Sequence, residues 1–468
     1  MDHPASAPVP PTTACHVLAI PYPGRGHVNP MMNLTKLLLS KNPNINVTFL
    51  LTEEWLGLIG SDSNLPGNNF RFATIPNVIP SEEGRANDFV GFLESVMTKM
   101  EEPFENFLNR LQPPPNLIVC DSYLFWVVRV ANKRSLPVAS FWPMSASVLA
   151  VFKHYHLLEQ HGDYPVNVSE NGDKLVNYIP GNTSIHLADF PLHDSSWRSR
   201  KLLQLVLNSV SWVEKSQYLL FPSIYELEPL AIDALRKEYT IPIYPIGPAI
   251  PNFLDHGSNI NSIGTNNHHG CDLGYINWLD NQPSNSVLYI SQGSYLSTSR
   301  DQIDEIAFGL KESGVSFLWV QRDEGSKLKQ MCGDRGLVLP WCDQLRVLSH
   351  HAIGGFWSHC GWNSTREGLF YGVPFLSSPL FADQPLNCKY IVEDWKVGWR
   401  VKKDAKRETP ITRDEIADLI RKFMDLDSDE GREMRKRARE LQQACQKAIV
   451  DGGSSENNIN AFLRHAGQ

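Results

Sequence analysis

AIGGFWSHCGWNSTREGLFYGVP, residues 352–374, is the stretch from which the fold of this chain can be read. Ala352 to Trp357 is an apolar run, His359-Cys360-Gly361 a glycine turn, Trp362 onward a helical pattern, and Tyr371-Gly-Val-Pro374 its breaker. That order predicts strand, tight turn, short helix. Such a junction aims backbone N–H groups and the positive end of a helix dipole at one point, which suits a phosphate. His359 and Ser364 would add side-chain donors there. Glu367, one turn into the helix, can accept hydrogen bonds from a ribose diol. Upstream, Trp341 offers a flat face to a base, where stacking contributes roughly 1–3 kcal/mol. Singly, these residue types are as often plain core as ligand contacts. Trp341, Gln344, His359, Trp362, Asn363, Ser364, Glu367, Asp383 and Gln384 standing in register favour a binding window.

Outward from this window, short β-branched runs alternate with helical patterns, the mark of βαβ units and a parallel sheet. Residues 16–20, 47–51, 70–75, 117–120 and 138–141 read as strands of one sheet, with a helix from about Val28 to Ser40 after the first. The stretches 217–221 and 244–248 follow, and then a low-complexity segment, 255–270, that marks a linker. Strands at 286–291 and 316–320, with a helix from about Arg300 to Glu312 between them, restart the alternation. The expected organisation is a loose tail over 1–14, a first Rossmann-like domain over 15–250, a linker over 251–272, a second such domain over 273–453 and a final helical segment over 454–468. No short internal repeat is present.

At 468 residues the chain suits two domains of roughly 200–250 residues each. Its net charge of −8 disfavours nucleic acid, which needs a basic face. Eight scattered cysteines without a Cys-x-x-Cys pair point to reduced thiols and a cytoplasmic location. The Pro- and Ala-rich start lacks the basic and apolar regions of a secretory signal, and no apolar stretch is long enough to span a membrane.

The window resembles the signature box of plant UDP-dependent glycosyltransferases that act on small molecules, and it does so along its whole length. The resemblance implies that Trp341 stacks on uracil, Gln344 meets the nucleoside, His359 binds the diphosphate, Glu367 holds the ribose, and Asp383 with Gln384 holds the sugar hydroxyls. Cys342, Gly361, Trp362, Asn363 and Ser364 are carried over as further donor-binding positions. The family usually reads Trp-Ala-Pro-Gln where this chain has Trp341-Cys342-Asp343-Gln344, which puts an added negative charge near the base. Gln292 stands where Phe is common, whereas Gly293-Ser294 matches, so Ser294 is expected on the diphosphate. Pro143 follows Trp142 where many relatives have a Thr. The implied fold is α/β of the GT-B type, two Rossmann-like domains facing each other across a cleft, with the last helix crossing back onto the first domain.

A base is offered by Pro23-Gly24-Arg25-Gly26-His27-Val28-Asn29-Pro30, just past the first strand. A histidine there has the unperturbed pKa to take a proton from a hydroxyl near neutral pH. Asp121, next to the strand at 117–120, would stand on the same sheet edge, and a carboxylate on one imidazole nitrogen fixes the tautomer and stabilises the imidazolium. The resemblance assigns the catalytic histidine and its partner to these same two positions. The expected activity is inverting transfer of glucose from UDP-glucose to a hydroxyl of a small, largely apolar acceptor. Phe141 and Trp142 are expected to line the acceptor pocket. No cofactor and no metal are expected: His268-His269-x-Cys271 falls in the linker, and His350-His351 overlaps the window. The expected partners are the UDP-sugar and the small acceptor, with no nucleic acid, for a monomer. A dehydrogenase would need a third Gly after Gly24-x-Gly26, and a serine hydrolase a Gly-x-Ser-x-Gly elbow that is missing. The remaining alternative is a non-catalytic nucleotide-sugar-binding protein.

Overall fold

Strands that are apolar along their whole length need cover on both faces, and a parallel sheet between helices supplies it. The computed structural model describes residues 15–60, 67–85, 87–250, 274–293, 299–321, 325–402 and 409–466. The expected tail, linker and Ser294 lie outside the described residues. Among the described residues, β1 (Cys15–Ile20), β2 (Ile45–Thr52), β3 (Phe70–Ile75), β4 (Leu117–Asp121), β5 (Val138–Phe141), β6 (Tyr218–Phe221) and β7 (Ile243–Pro245) form a parallel sheet in the order β3-β2-β1-β4-β5-β6-β7. Side-chain alternation sorts β1 into two layers. Leu18 and Ile20 pack with Leu50, Ile118 and Cys120, while Val17 and Ala19 pack on the other face with Val47, Phe49 and Val119.

The second half repeats the scheme. β8 (Val287–Ser291), β9 (Ser316–Val320), β10 (Gly336–Leu339), β11 (Ile353–Ser358), β12 (Phe375–Ser377) and β13 (Gly398–Arg400) run parallel in the order β10-β9-β8-β11-β12-β13. Each sheet therefore reverses its winding once, between β1 and β4 and between β8 and β11. At such a point the loops leaving neighbouring strands turn to opposite faces and open a crevice at the carboxyl edge. The pairs Ile20↔Cys120 and Ser291↔Ser358 bring the strand ends on each side of the two crevices level.

The helices that bear on the site are α1 (Arg25–Lys41), α2 (Ala146–Lys153), α3 (Gln344–Leu348), α4 (Trp362–Tyr371), α5 (Gln384–Lys389) and α6 (Ser454–Ala466). α1 starts three residues before the position that the sequence suggested. Gly24 is its N-cap, and the N–H groups of His27 and Val28 both reach the Gly24 carbonyl, so His27 sits in the first helical turn despite Pro30 downstream. Phe141 and Trp142 need a correction. Phe141 ends β5 facing the layer of Val17 and Ala19, Trp142 enters the opposite layer with its indole N–H on the Ser145 carbonyl, and both are fully buried core, unable to touch an acceptor as they stand.

The halves are braced against each other by polar contacts. The Trp362 indole donates to the Pro222 carbonyl at 3.0 Å, Arg400 makes a forked pair with Asp189 at 3.0 and 2.9 Å, and buried Lys389 joins Asp394 at 2.8 Å and Thr183. α6 lies on the first sheet: Ile459 and Phe462 enter the layer that holds Val17, Tyr244 and Ile246, and Lys41 of α1 pairs with Glu456 at 2.7 Å. Phe462 is about as buried as any core residue of that layer. Truncation of this ring should therefore be felt by the first half as loss of core: Phe462→Ala is expected to cost roughly 3–5 kcal/mol in urea unfolding, and a cost under about 1 kcal/mol would show that α6 is a loose appendage.

Candidate active site

Strand order explains how residues far apart in sequence meet. β1 leads into His27 and β4 ends on Asp121, on either side of the first crevice, and His27 Nδ1 lies 2.8 Å from Asp121 Oδ2. The second Asp121 oxygen accepts the Tyr123 backbone N–H at 3.0 Å, so the carboxylate is fixed from both ends. Asp121 is completely buried while the His27 side chain keeps 22% of its surface exposed, which leaves Nε2 as the reachable nitrogen. With Nδ1–H donated to the carboxylate, Nε2 carries a lone pair. Rings surround this imidazole: Tyr22 at 4.7 Å and Tyr123 at 5.6 Å between centroids, with Phe92 behind Tyr22 at 6.2 Å. Trp142 stacks under Tyr123 at 5.9 Å, so its part here is to support a wall. Phe89 and Phe381 meet edge to face at 6.3 Å from opposite halves.

At the second crevice, β11 ends at Ser358 and the chain turns through Cys360, whose φ of +64° is a left-handed conformation rare outside glycine. Two bonds hold this turn. Cys360 N–H reaches Ser358 Oγ at 3.1 Å, and Asn387 Nδ2 of α5 reaches the Cys360 carbonyl at 3.0 Å. His359 is wedged between two glycine backbones: a Cβ at Gly293 would lie 2.8 Å, and one at Gly361 2.5 Å, from its Nε2. Burial pulls the His359 imidazole down to about 4, so it is neutral at pH 7, and its Nδ1 is buried with no hydrogen-bond partner among the described residues. Gly361, the N-cap of α4, supplies no side-chain cap to the N–H groups of the first turn.

Beside it, the Gln344 amide donates to Ser364 Oγ at 3.0 Å and to Glu367 Oε2 at 2.7 Å, and its carbonyl accepts from Tyr289 at 3.2 Å. Burial raises the Glu367 carboxyl above its usual range, with Arg366 and Gln344 opposing. Trp341 is 39% exposed, with a ring free to be covered. Cys342 turns inward, its thiol 3.5 Å from the Tyr289 hydroxyl, so its side chain belongs to the core and not to a ligand surface. The carboxylate of Asp343, which the sequence placed near a base, is consumed as the N-cap of α3 and accepts the Arg346 N–H at 3.2 Å.

Trp362 and Asn363 face the first half of the chain. Trp362 is a buried brace, and Asn363 Nδ2 donates to the Gly26 carbonyl at 2.9 Å. Asp383 accepts from Asn387 at 2.7 Å, and burial raises its carboxyl to about 6 against the pull of Asn387 and of nearby His27. That coupling puts Asp383 within electrostatic reach of His27. The Gln384 carbonyl oxygen accepts the backbone N–H groups of Leu380 and Phe381 at 2.8 and 3.0 Å, which leaves its amide N–H groups for other partners. Sequence reasoning passed over Arg366, Tyr22, Tyr123 and Asn387. Among the described residues, no cluster of three His, Cys, Asp or Glu side chains has the disposition to hold a metal, and no helix is long and apolar enough to cross a membrane.

The profile of the family described as UDP-glucoronosyl and UDP-glucosyl transferase matches residues 231–408. UDP-glycosyltransferase 87A1 of Arabidopsis thaliana is 50% identical over 448 residues, covering 95% of this chain and 99% of its own length. Among solved structures, Os79 from O. sativa in complex with UDP superposes with a TM-score of 0.82 at 28% identity, over 96% of this chain and 100% of that one. UGT2 of Phytolacca americana, complexed with UDP-2fluoro-glucose and pterostilbene, superposes with a TM-score of 0.79 at 26% identity, over 97% of this chain and 100% of that one.

The raised carboxyl of Asp383 has a consequence for stability. Its folded-state pKa lies above that of the unfolded chain, so its contribution is complete below about pH 4 and is lost as pH rises through about 6. Relative to Asp383→Asn, the ligand-free wild type should lose at most about 3 kcal/mol over that interval. Paired thermal or urea unfolding of both proteins across pH checks this, and a flat difference would mean that the carboxylate is solvated.

Proposed function

The chain belongs to the plant UDP-glycosyltransferase family, and from that membership we propose that it moves glucose from UDP-glucose to a hydroxyl of a small, largely apolar acceptor with inversion at the anomeric carbon. As a UDP-glycosyltransferase of GT-B fold it works in the cleft between its two sheets. One observation carries the finer reading: the fully buried Asp121 carboxylate holds Nδ1 of His27, whose side chain keeps part of its surface exposed and lies within electrostatic reach of Asp383.

In this mechanism Nε2 of His27 takes the proton of the acceptor hydroxyl while Asp121 stabilises the imidazolium. The acceptor oxygen attacks the anomeric carbon from the face opposite UDP. The bond from that carbon to the diphosphate oxygen breaks, giving a β-glucoside and UDP, and the proton on His27 passes to solvent. Holding both substrates in one cleft supplies the orientation. Charge growing on the diphosphate falls to the first turn of α4, Ser364 and neutral His359, which has one N–H to donate; Ser294 joins this set by resemblance. These donors do the work that a metal does at other diphosphates, and no cofactor is needed. Trp341 covers the uracil, Glu367 and Gln344 take the ribose and nucleoside, and Asp383 with Gln384 takes the sugar hydroxyls. The partly exposed rings of Phe89, Tyr123 and Phe381 suit a flat apolar acceptor. The relative bound to pterostilbene together with a UDP-2-fluoro-glucose donor supports both halves of the reading.

Incubation with UDP-glucose and a panel of phenols, with product mass as the readout, separates an enzyme from a nucleotide-sugar-binding protein. His27→Ala is expected to lower turnover on the order of 10²–10⁴-fold while UDP still binds; undiminished turnover in that variant rejects the base. Gln384→His should lose glucose transfer preferentially over other sugars, and an equal loss for every UDP-sugar tested would count against a direct contact with the sugar.

A further inference from the structure

Pro30 lies inside α1 and has no N–H, so the carbonyl four residues before it, that of Gly26, lacks its regular α-helical donor. The donor comes instead from the other half of the molecule, where Asn363 Nδ2 reaches the Gly26 oxygen at 2.9 Å. That oxygen belongs to the peptide unit whose nitrogen is His27 N, and this N–H is itself held by the Gly24 carbonyl at 2.9 Å. The peptide plane that aims the imidazole is thus held at one end by its own helix and at the other by α4.

An asparagine amide can turn over, and here its orientation is fixed. Arg366, one turn further along α4, donates Nε at 3.2 Å and Nη2 at 3.0 Å to Asn363 Oδ1, which leaves the NH₂ side facing Gly26. Arg366 is 2% exposed, forms no ion pair among the described residues, and its Nη1 is buried without a hydrogen-bond partner. Burial pulls its guanidinium down to about 10, with neighbouring Glu367 partly offsetting. A buried cation without a carboxylate against it costs stability. The stripe Trp362, Arg366, Leu369, Phe370 is buried along one side of α4, and an apolar side chain at its second place would cost nothing of the kind.

We propose that Arg366 and Asn363 form a latch across the cleft, positioning residues that set the catalytic placement of His27 through the carbonyl that Pro30 leaves without its regular α-helical donor. This rests on the reading of His27 as the base. Ser364, the next residue after Asn363, is held by Gln344, so the donor clamp and the placement of the base share one helical turn.

Arg366→Leu tests the latch. The expected result is an unfolding temperature equal to or above that of the wild type, a Kd for UDP and a KM for the donor changed by less than about threefold, and kcat lowered roughly tenfold or more, as small misplacements of a catalytic group do. Asn363→Ala added to Arg366→Leu should lower kcat no further than the more damaging single change. Pro30→Ala restores a helical N–H four residues after Gly26, so it should return part of the lost kcat to Arg366→Leu, a rescue that a merely structural arginine would not show. Unchanged kcat, a fall in kcat matched by weaker UDP binding, absence of rescue, or failure of Arg366→Leu to fold with and without Pro30→Ala would each overturn the latch. His27→Ala run alongside keeps the two readings apart. If it retains turnover, the base assignment falls; if it loses turnover while Arg366→Leu keeps wild-type kcat, only the latch falls.

Discussion

A parallel sheet that reverses its winding must open at its carboxyl edge, and this chain does so twice. Because β1 and β4 are neighbours whose following segments leave toward opposite faces, His27 and Asp121 meet although they are 94 positions apart. Because β8 and β11 stand in the same relation, Gly293 and His359 meet in the second half. A histidine stands at each crevice, and burial gives the two different chemistry. His27 keeps a solvent-facing nitrogen and has a carboxylate on the other, the arrangement of a proton acceptor. His359 is enclosed by the backbones of Gly293 and Gly361, and burial keeps it neutral at pH 7.

Most of the fold was legible because period and strand length are local properties. The strands at Phe70–Ile75, Val138–Phe141 and Ser316–Val320 agree with their sequence-based bounds to the residue. The true start of α1 was not legible, because nothing local says that Gly24 already caps the helix. The inward fate of Phe141 and Trp142 was illegible for a different reason. A strand end next to a crevice offers both core and pocket positions, and only the pleat and the neighbouring layers choose between them. Asp343 could be read as an added charge or as a helix cap, and the choice depends on the chain leaving it into α3. Arg366 did leave a signal, a cation in the apolar side of a helical stripe with Trp362, Leu369 and Phe370, which only burial turns into a question.

Local rules are broken at several points around the cleft. Cys360 takes a left-handed backbone, Asp383 and Glu367 are carboxyls held above their usual range by burial, and Arg366 is a buried cation that forms no ion pair among the described residues. Each costs of order 1–3 kcal/mol, and such features persist where the surrounding structure over-determines them. Asn387 shows how that is done here: one buried amide holds both the Cys360 carbonyl and the Asp383 carboxylate.

The Gln344 amide seated on Glu367 and Ser364 acts as a resident understudy for a ligand. It satisfies a buried carboxylate from within the chain. On the proposed reading, a diol reaches Glu367 by displacing an N–H group already seated there, so the net gain from that contact is small. On the same reading, affinity comes chiefly from the exposed face of Trp341, while Glu367 discriminates what stays.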